Sequence, residues 1–184
     1  MNTRTENIQT AILAGGCFWC TEAVFLDVDG VLSVESGYCG GQTSDPTYDE
    51  VCGGRTGHAE AVRIEFDAER IGYQELLGIF FATHDPTTLN RQGNDVGTQY
   101  RSAIFPADDA QRAQAEAFIA KLESDRVFGA PIVTTIEAPG TWHPAEAYHQ
   151  RYFERNPHQG YCMAVVAPKV AKFRRSFAAR LKKH

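Results

Sequence analysis

The chain has 184 residues, of which 43% are hydrophobic, and its net charge is −5. These values predict one globular catalytic domain, residues 1–184, because isolated domains usually hold about 50–250 residues. The polar first residues and the lack of an apolar run near the roughly 20 residues of a membrane span argue against a membrane protein; they predict a cytoplasmic one with residues 1–8 flexible.

The first predicted element is a short strand at residues 11–14, which passes through Gly15 and Gly16 into a helix from Cys17 to Asp27. Glycines allow positive φ at such a turn. Cys17 then lies at the helix N-terminus, where free backbone N–H groups and the macrodipole favour a thiolate and lower its pKa from about 8.5 to roughly 3.5–7.5. This position predicts that Cys17 is a nucleophile.

Two other interpretations of Cys17 stay open at this point. Cysteine often behaves as a small buried hydrophobe, and Cys17 with Cys20 forms a Cys-x-x-Cys pair of the redox or zinc type. Zinc is disfavoured because a closed site needs four ligands, whereas Cys39 and Cys52 do not form a second close pair. Five cysteines in a chain without a secretion signal favour reduced, reactive or transiently paired thiols.

The next predicted elements are a strand at residues 31–38, a long ordered loop at residues 39–57 and a strand from Glu60 to Asp67. In the first of these strands Leu32, Val34 and Tyr38 alternate with Val31, Ser33 and Glu35, as in a strand with one buried face. A loop of that length in a compact domain is usually functional. In the last strand Glu60 has the parity of the apolar positions, so its side chain is predicted to point into the core, where burial raises the pKa of a carboxyl. Glu60 is therefore a candidate general acid, although a strand-end glutamate can also turn to solvent.

The second half of the chain continues with helices and short strands. The pattern predicts a helix from Tyr73 to His84, a polar loop over residues 87–100, a strand from Ser102 to Phe105, a helix from Asp108 to about Asp125, an edge strand at residues 131–138 and a short helix at residues 145–154. The order up to Phe105 predicts an α+β fold. Its core is a ferredoxin-like split βαβ arrangement with an antiparallel sheet, elaborated by long loops and a C-terminal tail.

The C-terminal segment, residues 156–184, is predicted to begin as a turn-rich tail and to end as a basic helix. Residues 169–184 hold seven of the eighteen basic residues and no acid. Such a charge run can indicate nucleic acid or an anionic membrane. However, Val170, Phe173 and Phe177 recur at helical spacing, so we expect an amphipathic helix that packs on the body with its lysines in water. Neither nucleic acid nor membrane is expected as a partner.

Four blocks of sequence carry more specific information: Gly16-Cys17-Phe18-Trp19, Gly57-His58-Ala59-Glu60, His84-Asp85-Pro86 and the run from Asn90 to Ser102. In this order, from about Gly15 to Tyr161, the chain resembles the peptide methionine sulfoxide reductase A family. The resemblance implies an enzyme that reduces the S epimer of methionine sulfoxide, free or in peptides, and repairs proteins under oxidative stress. It implies the same core fold, no bound cofactor and no metal.

The resemblance also implies a role for each matching residue. Cys17 would attack the sulfoxide sulfur, Glu60 would protonate its oxygen, and Tyr48 and Tyr100 would assist by hydrogen bonding. The remaining matches are substrate-binding residues: Phe18 and Trp19 for the methyl group and Asp95 for the substrate backbone.

By the same resemblance, Cys17 becomes a sulfenic acid, which condenses with a second thiol to a disulfide that thioredoxin or another dithiol reduces. Cys162 matches the family's resolving cysteine and is ranked first; Cys20, one turn from Cys17, is the alternative. Cys39 and Cys52 are expected to be structural. The chain is expected to act as a monomer.

Two rival functions remain possible from the residues alone. A thiol-disulfide oxidoreductase would use Cys17 and Cys20 and would have no use for Glu60. A noncatalytic binding module would recognise a peptide with the polar loop at residues 90–100 and would use the cysteines only for packing.

Overall fold

A computed structural model describes residues 7–138 and 140–183 of the chain. Most of the segment predicted to be flexible, residues 1–6, lies outside the described part, whereas Ile8 already pairs with Asp67 in the sheet. No helix within the described ranges is both long and apolar enough to cross a bilayer.

The chain forms eight strands and six helices over these residues. They are β1 (Ile8–Gly15), α1 (Phe18–Leu26), β2 (Val31–Cys39), α2 (Tyr48–Cys52), β3 (Ala59–Asp67), α3 (Tyr73–Ala82), β4 (Arg91–Gln92), β5 (Asp95–Val96), β6 (Ser102–Phe105), α4 (Asp109–Ser124), β7 (Thr135–Ile136), β8 (His143–Pro144), α5 (Tyr152–Arg155) and α6 (Ala167–Ser176). Short 3-10 turns occupy residues 98–100, 147–149 and 178–180, and a π-helical turn occupies Cys162–Val166.

The main sheet has six strands in the order β7-β6-β1-β3-β2-β8. Its four central strands, β6, β1, β3 and β2, pair antiparallel with one another, which is the arrangement predicted for a split βαβ core. β7 pairs with β6 in parallel, so the whole sheet is mixed. The predicted α+β fold is confirmed, and residues 135–136 form an edge strand as expected.

The two faces of the sheet are packed differently. Residues such as Leu13, Val62 and Ile64 belong to the large core that also contains buried residues of α1, α3 and α6. The opposite parity contributes a smaller cluster that includes Ala61 and Phe105, with Trp142 packed against it. Any side chain of even number in β3, including that of Glu60, therefore points toward the helices.

Three local predictions need correction. The loop at residues 39–57 contains α2, which Thr47 caps by accepting from the Glu50 N–H while the Glu50 carboxylate accepts from the Thr47 N–H. The polar loop at residues 87–100 contains the β4–β5 hairpin. In β2 a register shift between Val31 and Ser33 leaves Leu32 46% exposed, although alternation placed it on the buried face.

The C-terminal segment is also more regular than predicted. Cys162 opens a π-helical turn that continues directly into α6, and its side chain is buried in the core, so it does not lie in a turn-rich tail. Val170 and Phe173 are buried as the amphipathic pattern predicted. The helix ends at Ser176, and Leu181 forms an isolated β-bridge with Val28.

Candidate active site

Cys17 is the N-cap residue of α1, directly after the turn that leaves β1. Gly16 has φ +97°, and a Cβ at this position would lie 2.6 Å from Cγ of Gln92. A glycine is needed here both for the backbone conformation and for the close approach of Gln92. The predicted strand-to-helix turn is therefore present, and it brings Cys17 to the end of the sheet near the polar loop.

Glu60 lies in β3 with its side chain directed at the start of α1. The Phe18 N–H donates to Oε1 at 3.2 Å, whereas Oε2 has no hydrogen-bond partner among the described residues. The residue is only 1% exposed. Burial raises the pKa of Glu60 to about 8, although the bond from Phe18 opposes the shift. At neutral pH this carboxyl holds its proton, as its predicted inward orientation required.

The electrostatics of Cys17 differ from the prediction. The residue keeps some exposed surface, but its thiol is enclosed, and burial raises the pKa of Cys17 well above its ordinary value. Glu60 and Cys20 raise this pKa further, and the Trp19 N–H and the Tyr161 hydroxyl oppose them. The lowered pKa inferred from the helix N-terminus is therefore wrong for this structure, because desolvation outweighs the dipole. A protonated Glu60 carries no charge, so its contribution disappears near neutral pH.

An aromatic cluster surrounds the first turn of α1. The ring of Phe18 lies 5.1 Å from that of His149 and 6.5 Å from that of Tyr48. Trp19 stacks on Tyr152 at 3.7 Å, and its indole N–H donates to Nδ1 of His149 at 3.0 Å. These contacts fix the side chains of Phe18 and Trp19, the residues next to Cys17.

Sequence reasoning missed two residues of this site. His149 is completely buried, and because Nδ1 accepts from Trp19 its ring proton lies on Nε2, which has no partner in the described part of the chain. Glu146 accepts from the Tyr38 hydroxyl at 3.0 Å and from the Tyr48 N–H at 3.1 Å. Their partners lie about 100 or more positions away, so no local pattern could reveal them.

The two candidate tyrosines approach the same carboxyl from different segments. Tyr48 is the first residue of α2, and Tyr100 lies in the 3-10 turn after β5. Burial, followed by the Glu60 charge, raises the pKa of Tyr48 and the pKa of Tyr100. Both hydroxyls therefore stay protonated and can donate hydrogen bonds near Glu60.

Asp95 connects the polar loop to the C-terminal segment. Its Oδ2 accepts from the Tyr161 hydroxyl at 2.6 Å, and the Tyr161 ring meets the edge of Trp19 at 5.7 Å. Tyr161 directly precedes Cys162. The structure thus gathers Cys17, Phe18, Trp19, Tyr48, Glu60, Asp95, Tyr100 and Tyr161 around one site.

All five cysteines are free thiols. Cys39 is buried in the cluster on the other face of the sheet, where burial raises its pKa to about 12 and its packing role is clear. Cys52 is exposed on α2, one turn after Tyr48, and lies near the Tyr48 hydroxyl. Cys20 and Cys162 are both buried in the large core. No cluster of metal-binding side chains occurs among residues 7–138 and 140–183.

Comparisons with known proteins agree on one family. The family described as peptide methionine sulfoxide reductase matches residues 9–181. The peptide methionine sulfoxide reductase MsrA of Deinococcus radiodurans is 60% identical over 174 residues, which are 95% of this chain and 84% of that protein. The corresponding protein of Erwinia tasmaniensis is 60% identical over 171 residues, 92% of this chain and 94% of that protein.

Solved structures give the same result. The reduced form of Mxr1 from Saccharomyces cerevisiae superposes with a TM-score of 0.77 at 34% identity and covers 84% of this chain and 89% of its own. Methionine sulfoxide reductase A of Corynebacterium diphtheriae superposes with a TM-score of 0.73 at 35% identity, and the match covers 89% of this chain and 81% of that chain. This chain therefore belongs to the peptide methionine sulfoxide reductase MsrA family and is an enzyme that reduces methionine sulfoxide.

Proposed function

We propose that this enzyme reduces the S epimer of methionine sulfoxide, free and in peptides, through a sulfenic acid on Cys17. The observation that supports this most directly is the position of the Glu60 carboxyl at the start of α1, where it accepts a hydrogen bond from the N–H of Phe18, the residue after Cys17. Glu60 holds a proton at neutral pH, and its Oε2 has no partner among the described residues. A buried acid beside a thiol suits a substrate whose oxygen must be protonated while its sulfur is attacked.

The substrate is held by three kinds of contact in this proposal. The methyl group packs against the rings of Phe18 and Trp19, which His149 and Tyr152 hold in place. The sulfoxide oxygen faces Glu60 and the hydroxyls of Tyr48 and Tyr100. Asp95 accepts a hydrogen bond from the substrate backbone and would exchange its present bond with Tyr161 for it.

The first chemical step needs no proton from solvent, because Glu60 and the Cys17 thiol supply those required. Cys17 sulfur takes the oxygen from the sulfoxide as Glu60 protonates that oxygen, which gives methionine and a Cys17 sulfenic acid. The proton lost by the Cys17 thiol restores the Glu60 carboxyl. Because burial raises the pKa of Cys17, the resting thiol holds its proton near neutral pH.

A second thiol then condenses with the sulfenic acid and releases water, which leaves an intramolecular disulfide. From its match to the family, Cys162 is the first candidate for the thiol in that disulfide, with Cys20 as the alternative. Thioredoxin or another dithiol would reduce it. The yeast protein Mxr1 has been solved in complex with Trx2, a thioredoxin, which supports this choice of reductant.

The remaining features of the proposal concern the whole chain. Residues 1–184 act as one catalytic domain, as a monomer and without a bound cofactor, in the repair of oxidised proteins under oxidative stress. The cytoplasmic location stays a prediction of the sequence.

The test uses a short peptide carrying one methionine sulfoxide, prepared as separate S and R epimers, with thioredoxin and its reductase. We expect turnover of the S epimer alone and no turnover by the Cys17→Ser variant. Cys39→Ala, which changes a thiol on the other face of the sheet, is the matched control and should keep its activity. Turnover of the R epimer, or activity that survives Cys17→Ser, would contradict the proposal.

A further inference from the structure

Cys20 is a buried thiol in the first turn of α1. Its N–H donates to the Cys17 carbonyl at 3.1 Å. A hydrogen bond of this kind, across three positions, brings two Cα atoms within about 7 Å. Disulfides need Cα atoms roughly 4.4–6.8 Å apart, so Cys17 and Cys20 can join without a large backbone movement. Cys17 has the non-helical angles φ −59° and ψ 125°, which leaves its side chain free of the regular helical direction.

Cys20 also lies beside Cys162. The two residues, 2% and 0% exposed, belong to the same buried cluster, and Tyr161, next to Cys162, packs against Trp19, next to Cys20. Burial raises the pKa of Cys20 to about 11, and the Cys162 thiol is among the groups that add to this shift, while Lys169 on α6 opposes it. The pKa of Cys17 is influenced by Cys20 and that of Cys162 by burial alone. Cys20 is thus close to both of the other two cysteines.

We propose, on the basis of the proposed function but with Cys20 instead of Cys162 as the thiol that first reacts with the sulfenic acid, that Cys20 is a relay thiol: it resolves the Cys17 sulfenic acid and then passes the disulfide to Cys162. In the first step the Cys20 thiol attacks the Cys17 sulfur, the new Cys17–Cys20 bond forms, and the hydroxyl leaves as water. In the second step the Cys162 thiolate attacks the Cys20 sulfur. The Cys20–Cys162 bond forms, and Cys17 is released as a thiolate that takes up the proton of Cys162.

This order follows from how far each thiol must move. Cys20 is held one turn from Cys17 by a backbone hydrogen bond, so its local concentration near the sulfenic acid is high. Cys162 belongs to a different element, the π-helical turn Cys162–Val166. Its π-helical turn is a less regular element than the α-helix that follows, and Met163 and Val165 within it are exposed. Opening of this turn would present the final disulfide to a reductant.

The relay predicts a distinctive stoichiometry when no reductant is added. Because Cys17 is set free, the wild-type chain can reduce a second sulfoxide, and it should form about two methionines per chain. The Cys162→Ser variant should form about one and stop with a Cys17–Cys20 disulfide. The Cys20→Ser variant should also form about one, but it should keep a sulfenic acid on Cys17 that dimedone traps.

The experiment is a rapid-quench reaction of the reduced full chain with an excess of the S-sulfoxide peptide, followed by alkylation and disulfide mapping. Cys20→Ala is a second variant, and the methionine burst itself shows that each variant is folded. Cys39→Ala should match the wild type. In the wild type, a Cys17–Cys20 disulfide should form before a Cys20–Cys162 disulfide.

Two results would overturn the relay. One is a Cys20→Ser variant that loses its sulfenic acid as fast as the wild type and forms Cys17–Cys162; the other is a wild-type chain that stops at about one methionine with Cys20 still a free thiol. Either result leaves the first methionine of the burst intact, so the proposed function would stand. Absence of any burst in the wild type would instead refute the proposed function.

Discussion

The Glu60→Gln substitution tests the central carboxyl, because it keeps the size of the side chain and removes its ionisation. The buried environment raises the pKa of Glu60 from 4.5 to about 8. A change of this size corresponds to about 5 kcal/mol of preference for the neutral form. The neutral acid is thus compatible with the fold, and the ionised one is costly.

The sign of the pH effect on stability follows from this direction. A carboxyl whose pKa is raised by folding stabilises the protein fully below its unfolded pKa, and this contribution is lost as the pH rises through the folded pKa. Wild-type stability should therefore fall between about pH 4.5 and pH 8 relative to Glu60→Gln, and the difference should level off above that range. Urea unfolding of both proteins at several pH values measures it.

Activity should change in the same substitution. The wild-type rate should decline above about pH 8, as Glu60 loses the proton it donates. Glutamine can accept the Phe18 N–H but cannot act as an acid, so kcat/KM of the variant should be lower by roughly 10²–10⁴. The variant's rate should also show no decline above about pH 8. Glu65→Gln, on the same strand with an exposed side chain, is the control. A variant within tenfold of the wild type, or a stability difference that does not depend on pH, would refute this account of Glu60.

Three further substitutions test the scaffold. Gly16→Ala should lower the free energy of unfolding in urea by more than about 1 kcal/mol and reduce steady-state turnover, because Gly16 has φ +97° and lies against Gln92. Gly160 has open space around it, so the control Gly160→Ala should change neither quantity. Glu146→Ala leaves the Tyr38 hydroxyl and the Tyr48 N–H without their acceptor, so the free energy of unfolding should fall by about 1–3 kcal/mol and kcat/KM should also fall. A Tm equal to that of the wild type would contradict this. Phe173→Ala should lower the free energy of unfolding by about 3–5 kcal/mol, measured as a lower Tm, because the side chain is buried. Lys172 is exposed, so Lys172→Ala should leave the Tm unchanged.

The sequence was sufficient wherever one element determined the outcome. The period of two in β3 placed Glu60 on the helix face, and the glycine pair placed Cys17 at the start of α1. The same alternation failed in β2, because the irregularity after Val31 reverses the facing of Leu32 and cannot be read from residue types. The helix α2 was missed although its signal, Thr47 followed three residues later by Glu50, is present in the sequence.

The electrostatics of the site could not be predicted from local patterns. The helix N-terminus suggested a lowered pKa for Cys17, but the groups that enclose the thiol come from β3 and from the segment at Tyr161. Desolvation depends on these distant contacts, and it outweighs the local dipole. The burial of His149 against Trp19, 130 positions away, is of the same kind.

The hydrogen bond from Tyr161 to Asp95 has a consequence for the timing of the catalytic cycle. Tyr161 and Cys162 are adjacent, so any displacement that carries Cys162 outward pulls on this bond and on the edge contact with Trp19. If Asp95 binds the substrate backbone as proposed, substrate binding would break the same hydrogen bond. Binding of an oxidised methionine would then favour release of the segment that carries Cys162, so the substrate that oxidises the chain would also prepare its reduction.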